Sequence, residues 1–213
     1  MKKRSVVILL NGEQVEARIF ERLRDKSALI IAVDGGLHNC RELQVSPDYL
    51  LGDLDSADSV SEIQVSTKII RSTDQDTTDL DKALAFALSL APVRIQFFAA
   101  FGLRSDHTFG NMISLMNFCA RNTIPVEIVD NKGITRFLRP GIHHIRLPKN
   151  QTVSFFSFGP ILDLSLQGFV YALSSQNYPE NFCGISNICN AEKCIIKFRS
   201  GILCMYLLHQ TQL

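Results

Sequence analysis

Leu29-Ile30-Ile31-Ala32-Val33-Asp34-Gly35-Gly36 is the stretch that decides the fold. Five consecutive apolar residues suit a strand covered on both faces of a parallel sheet, and an acid followed by two glycines ends it abruptly. Val6-Val7-Ile8-Leu9-Leu10 has the same character and stops at Asn11-Gly12-Glu13. A helix over about 13–25 is expected between the two runs. Tyr49–Leu51, Lys68–Ile70, Ile95–Ala100 and Val126–Val129 are the next strand candidates. Leu80, Ala83, Leu84, Ala87 and Leu88 follow the helical period, as do Phe109, Met112, Ile113, Met116 and Cys119. Strand and helix patterns in alternation predict an α/β domain, Rossmann-like and mostly parallel, over residues 1–132.

The period changes near residue 131. Leu162-Asp163-Leu164-Ser165-Leu166-Gln167 alternates strictly, and Val153-Ser154-Phe155 and Ile196-Lys197-Phe198-Arg199 do so locally. Ile142–Leu147 and Ile202–Leu208 are further strand candidates. Pro140-Gly141, Pro148, Gly159-Pro160, Gly168, Gly184 and Gly201 punctuate these runs, with no helical stripe between them. Residues 133–213 are therefore expected to form an all-β sandwich.

Composition excludes several functions. Lys plus Arg number 22 against 21 acidic residues, with no basic tract, so a nucleic-acid partner has no electrostatic support. The apolar run after Met1-Lys2-Lys3-Arg4 is shorter than the roughly 7–15 residues of a signal-peptide core. No stretch approaches the roughly 20 apolar residues of a membrane span, so a cytoplasmic protein with no membrane partner is expected. Six cysteines without a CxxC pair fit reduced thiols, and the spacing of Cys183, Cys189 and Cys194 does not suit a zinc knuckle.

Polar clusters follow the strands. Asp34-Gly35-Gly36 follows Val33, Gly52-Asp53-Leu54-Asp55-Ser56 follows Leu51, and Asp74-Gln75-Asp76-Thr77-Thr78-Asp79 follows Lys68–Ile70. Gly102-Leu103-Arg104-Ser105-Asp106-His107 follows Ile95–Ala100. In a parallel sheet all four share the carboxyl edge, where open α/β sheets take their ligands. Each cluster has a plainer reading: Asp34 as a turn residue, Asp53 and Asp55 as a surface turn, Asp76 and Asp79 as acids favoured in a helix's first turn, Asp106 as a cap. Together, so many carboxylates on one edge repel one another unless a cation lies between them. Hard oxygen donors favour Mg²⁺, which completes its shell with water and substrate phosphates. Arg104 offers a bidentate phosphate partner, and helix starts at about 77 and 106 offer backbone N–H groups. This is equipment for phosphoryl transfer. There is no GxxxxGK[ST] and no GxGxxG, so neither a P-loop nor a dinucleotide site is indicated.

At these residues the chain resembles the thiamine pyrophosphokinase family, which transfers diphosphate from ATP to thiamine and releases AMP. Leu10-Asn11-Gly12, Asp34-Gly35-Gly36, Pro47-Asp48 leading into Gly52–Ser56, the run from Asp74 to Leu84, Arg104–His107 with Asn111, Gly168–Leu173 and Gly184–Asn187 carry the resemblance. It implies an α/β domain followed by a β-sandwich in a homodimer, with each active site shared between subunits. By position it makes Asp34, Asp53, Asp55 and Asp79 metal ligands. Gln75, Asp76, Thr78, Arg104, His107 and Asn111 become ATP or diphosphate contacts. Asp55, Asp79, Arg104 and Asp106 become catalytic, with Asp79 or Asp106 the candidate proton acceptor. Tyr171 becomes the aromatic stacked on thiamine, and Ser186 and Asn187 contacts to its heterocycle. Leu103 stands where a second glycine is usual, and Ala172 where proline or asparagine is more familiar. Two rivals are a metal-dependent phosphohydrolase using water on the same acidic edge and a non-catalytic thiamine or nucleotide binder.

Overall fold

The computed structural model describes residues 4–52, 66–71 and 76–210. Its fold is mixed α/β, with a large sheet and a second, antiparallel sheet. Two compact units are formed, one from residues 1–114 and 124–131, the other from 115–123 and 132–213.

The first unit alternates strand and helix: β1 (Val6–Leu9), α1 (Ala17–Leu23), β2 (Leu29–Val33), α2 (Gly36–Glu42), β3 (Tyr49–Gly52), β4 (Lys68–Arg71), α3 (Asp79–Ser89), β5 (Ile95–Phe98), the part of α4 (Ser105–Arg121) up to residue 114, and β6 (Val126–Val129). The strands run β6-β5-β1-β2-β3-β4, and every one of these pairings is parallel. Burial follows this order. The central β1 and β5 are buried along their whole length, while β4, at the end of the order, is largely exposed. A strand covered on both faces leaves no polar alternation to read, which is why the Val6 and Leu29 runs are continuous.

Three local expectations change. The helix expected over about 13–25 is confined to α1, because Glu13 donates its N–H to Phe101 O and Glu16 is the cap. Helix α2 begins on glycine and carries too short a stripe to be read as periodic, yet it buries Leu37 and Cys40. On α4, Met112, Met116 and Cys119 are buried, but Phe109 and Ile113 of the same expected stripe are 65% and 53% exposed.

The second unit contains β7 (Gly133–Leu138), β8 (Gly141–Arg146), β9 (Thr152–Phe156), β10 (Ile161–Gln167), β11 (Leu173–Tyr178), β12 (Cys183–Ile188), β13 (Lys193–Phe198) and β14 (Leu203–Leu208). Their pairings are antiparallel, in the orders β12-β9-β14-β7 and β11-β10-β13-β8. One core serves both sets: Val153, Phe155, Leu203 and Met205 pack with Leu164, Leu166, Cys194, Ile196 and Phe198. Strand β11, Leu-Ser-Ser-Gln-Asn-Tyr, buries almost nothing, so no apolar alternation announces it. Among the described residues no helix is long and apolar enough to cross a membrane.

Candidate active site

In the first unit a cavity of about 520 Å³ opens where β1, β2 and β5 end. Parallel pairing brings these ends to one edge, so residues far apart in the chain become neighbours. Asp34, Thr78, Asp79, Arg104, Asp106, His107 and Asn111 all line this space. Asp53, Asp55 and Gln75 lie outside the described residues, and Asp76 is described but exposed and not part of the lining. Asn11 and Thr77 also line it, without having been assigned a role from the sequence. Asn11 ends β1 as Asp34 ends β2, and that shared position was the signal for it.

Close backbone approaches shape the floor. A Cβ on Gly36 would lie 2.0 Å from the carbonyl oxygen of Leu9, and one on Gly35 2.4 Å from the Asn11 carboxamide. Only glycine lets the start of α2 come this near β1. Buried Asn39 of α2 donates to Leu10 O at 2.7 Å, fastening the same helix to the end of the same strand. Asp34 takes a left-handed φ of 47°, and its N–H donates to Leu51 O at 2.8 Å. A side chain on Gly52 would strike the Asp34 carboxylate, so β3 must end in glycine to leave that oxygen its place.

The opposite wall is the loop from β5 into α4. Asn111 donates to Ala100 O at 2.7 Å, and Thr108 Oγ1 accepts from Gly102 N–H and donates to Arg104 O, each at 3.2 Å. Leu103, where glycine was expected, adopts φ 58° and is 78% exposed on the cavity rim. Asp34, Ala99 and Leu103 are all left-handed non-glycine residues in this lining, each carrying backbone strain. Thr78 caps α3, accepting from Asp81 N–H at 3.2 Å and donating to the Asp81 carboxylate at 2.7 Å. Asp79 pairs with Lys82 at 3.3 Å.

The guanidinium of Arg104 grips Asp106 with both arms, at 3.1 and 2.5 Å. Hydrogen bonding from Arg104 is the main cause that lowers the Asp106 carboxyl to about 2, and the same contact raises Arg104. Paired in this way, Asp106 is a poor proton acceptor. Among the described residues no three of His, Cys, Asp and Glu come together closely enough to hold a metal ion. Asp34 and Asp79 nevertheless offer hard oxygen donors to one cavity, a donor type that fits Mg²⁺.

Tyr171, Ser186 and Asn187 belong to the second unit. Tyr171 is 67% exposed in the segment between β10 and β11. Ser186 is exposed at φ 59°, where the β12–β9 register shifts. Asn187 is 5% exposed, and its carboxamide is bonded to the Tyr171 backbone. A further cavity of about 400 Å³ in this unit includes Arg139 and Arg199 in its lining. Arg139 donates to carbonyls at the C-terminal end of α4, those of Cys119 in its last turn and of Asn122 just beyond it.

Comparison with known proteins agrees with this geometry. The family model described as "Thiamin pyrophosphokinase, catalytic domain" matches residues 20–128. The thiamine pyrophosphokinase of Bacillus subtilis (strain 168) is 30% identical over 195 residues, spanning 85% of this chain and 87% of that protein. Thiamin pyrophosphokinase 1 of Caenorhabditis elegans is 26% identical over 168 residues, 74% of this chain and 68% of that protein. The crystal structure of the Bacillus subtilis thiamine pyrophosphokinase superposes with a TM-score of 0.81 at 26% identity, covering 97% of this chain and 100% of that one.

Proposed function

The chain belongs to the thiamine pyrophosphokinase family, and on that footing we infer that it is an enzyme that transfers diphosphate from ATP to thiamine. Thiamine diphosphate and AMP are the products. The observation that carries the reading furthest on this chain's own residues is the shared cavity of Asp34, Asp79, Arg104, His107 and Asn111.

We propose the following division of labour. Residues 1–132 act as the α/β domain that takes ATP, and residues 133–213 as a β-sandwich that takes thiamine. Asp34, Asp53, Asp55 and Asp79 hold Mg²⁺, which when bound supplies positive charge against the diphosphate. Gln75, Asp76, Thr78, His107 and Asn111 bind the nucleotide's phosphates, aided by N–H groups at the start of α4. Arg104 turns one arm from Asp106 to the transferred group and neutralises charge as it develops, while Asp106 keeps the guanidinium aimed. The thiamine hydroxyl oxygen attacks the β-phosphorus, the bond to AMP breaks, and the hydroxyl proton passes late to a carboxylate. Asp79 suits that last role better than Asp106, whose pairing with Arg104 depresses its basicity. Tyr171 stacks on thiamine, with Ser186 beside the heterocycle and Asn187 bonded to the Tyr171 backbone.

We further propose a homodimer whose subunits each contribute to both active sites, working in the cytoplasm. Six free cysteines fit a reducing compartment.

Incubation with Mg·ATP and thiamine, followed by mass detection, is expected to yield AMP and thiamine diphosphate in equal amounts. AMP released without thiamine would instead make the protein a phosphohydrolase, and no turnover would leave a binding protein. Asp55→Asn is expected to abolish most turnover with the fold intact; near-normal turnover in that variant removes the metal assignment.

A further inference from the structure

Asn187 is bonded in a way that a ligand-contacting side chain would not be. Its Oδ1 accepts from Tyr171 N–H at 3.0 Å and from Ile188 N–H at 2.9 Å, and its Nδ2 donates to Tyr171 O at 2.9 Å. Both lone pairs and one of the two amide hydrogens are thereby used within the protein. The side chain imitates a strand neighbour, pairing with both the N–H and the C=O of one residue 16 positions away.

The surrounding segment is fastened as well. Val170 N–H donates to Ile188 O at 2.8 Å, and Asn190 N–H to Gly168 O at 3.0 Å. Phe169 is fully buried and meets the Phe155 ring edge-on at 5.3 Å. From this anchored stretch Val170 and Tyr171 project, 52% and 67% exposed. A large aromatic group is thus displayed on a backbone held at each end of its own residue. The irregularity between Gly184 and Asn187 in the β12–β9 pairing, with Ser186 left-handed, accompanies the turn of the Asn187 side chain into the unit rather than out of it.

We propose that Asn187 is a positioning residue for thiamine: it does not touch the substrate but fixes the backbone of Tyr171, so that the ring is presented before thiamine arrives. This inference rests on the reading of Tyr171 as the thiamine-stacking aromatic. Pre-ordering a contact group lowers the ordering cost at binding, so its loss appears in affinity for the ligand it serves. ATP binding, which uses residues of the other unit, is not served by it.

The test is a double-mutant cycle on the full-length enzyme, reading KM for thiamine and for ATP separately. Asn187→Asp keeps the acceptor for the two N–H groups but sets a carboxylate oxygen against Tyr171 O, and its melting temperature reports whether the fold persists. KM for thiamine is expected to rise about tenfold in Asn187→Asp, with KM for ATP unchanged. In a Tyr171→Ala background the same substitution is expected to add nothing, because its route of action is gone. An equal factor in both backgrounds means that Asn187 contacts thiamine directly and overturns the proposal. So does an unchanged thiamine KM in Asn187→Asp, or a parallel rise for ATP. If Tyr171→Ala alone leaves the thiamine KM unchanged, the stacking role of Tyr171 is refuted and this inference falls with it, whereas AMP formation tests the overall reaction independently.

Discussion

Replacing Gly36 by alanine adds one methyl where a described glycine of the first unit comes closest to backbone atoms. That carbon would lie 2.0 Å from Leu9 O and 2.8 Å from Leu9 C, so more than about 1 Å of extra separation is needed for ordinary contact. The obstacle cannot rotate aside: Leu9 is in β1, which is paired on one side to β2 and on the other to β5. Relief must come from α2, yet that helix is tied to β1 through Asn39. Overpacking of this kind costs about 1–3 kcal/mol, offset in part by alanine's advantage over glycine in the unfolded chain. With a net loss of about 2 kcal/mol, the melting temperature should fall by about 4–8 °C for a chain of this size. Circular dichroism melts of both proteins measure this, and nucleotide binding should weaken with it, since Gly35 and Asn11 move when α2 does. A melting temperature unchanged within about 1 °C would refute the reasoning, because the helix could not then approach the strand as closely as described.

Gly110→Ala should act in the opposite direction. Nothing lies within 4 Å of the added carbon and the position is inside α4, so about 1 kcal/mol is gained and melting rises by about 2–4 °C; a fall would show hidden crowding. The Arg104–Asp106 pair should not titrate over the working range. A carboxylate lowered to about 2 in the folded protein keeps its pairing above the unfolded value near 3.9 and loses it only as pH falls toward 2. An acid limb in kcat/KM between about pH 5 and 7 should therefore hold its position in Asp106→Asn, and a limb that disappears in that variant contradicts the assignment. Thiol titration of the native protein should show one fast group. Cys183 is exposed, whereas burial hides Cys40, Cys119 and Cys189 and pushes each up to about 12. Burial also hides Cys194 and Cys204 and raises them. Cys183→Ser should remove the fast phase, and a second fast thiol would show that a buried site opens.

What the sequence determined by itself is local or periodic. Continuous apolar runs at Val6 and Leu29 announce strands covered on both faces, and β1, β2 and β5 are such strands. Polar residues placed just after those runs had to reach a common edge once the strands were parallel. That is why Asp34, Thr78, Asp79, Arg104, Asp106 and His107 could be placed on one edge from the sequence, whereas Asn111 was named through the family resemblance. The tertiary structure decided what depends on distance and register. Phe109 and Ile113 share a helical stripe with Met112 and Met116, yet only the latter pair is covered, since periodicity defines a face but not what packs on it. Arg104, with a free phosphate partner's role in the sequence, is bonded to Asp106 two residues on, which depends on side-chain geometry at the helix start. From the residues alone Asn187 reads as part of a turn after Gly184, and only the family resemblance makes it a ligand contact. Its commitment to Tyr171 joins β12 to the segment between β10 and β11, 16 residues away, and no local pattern encodes a contact made between two separate stretches of chain.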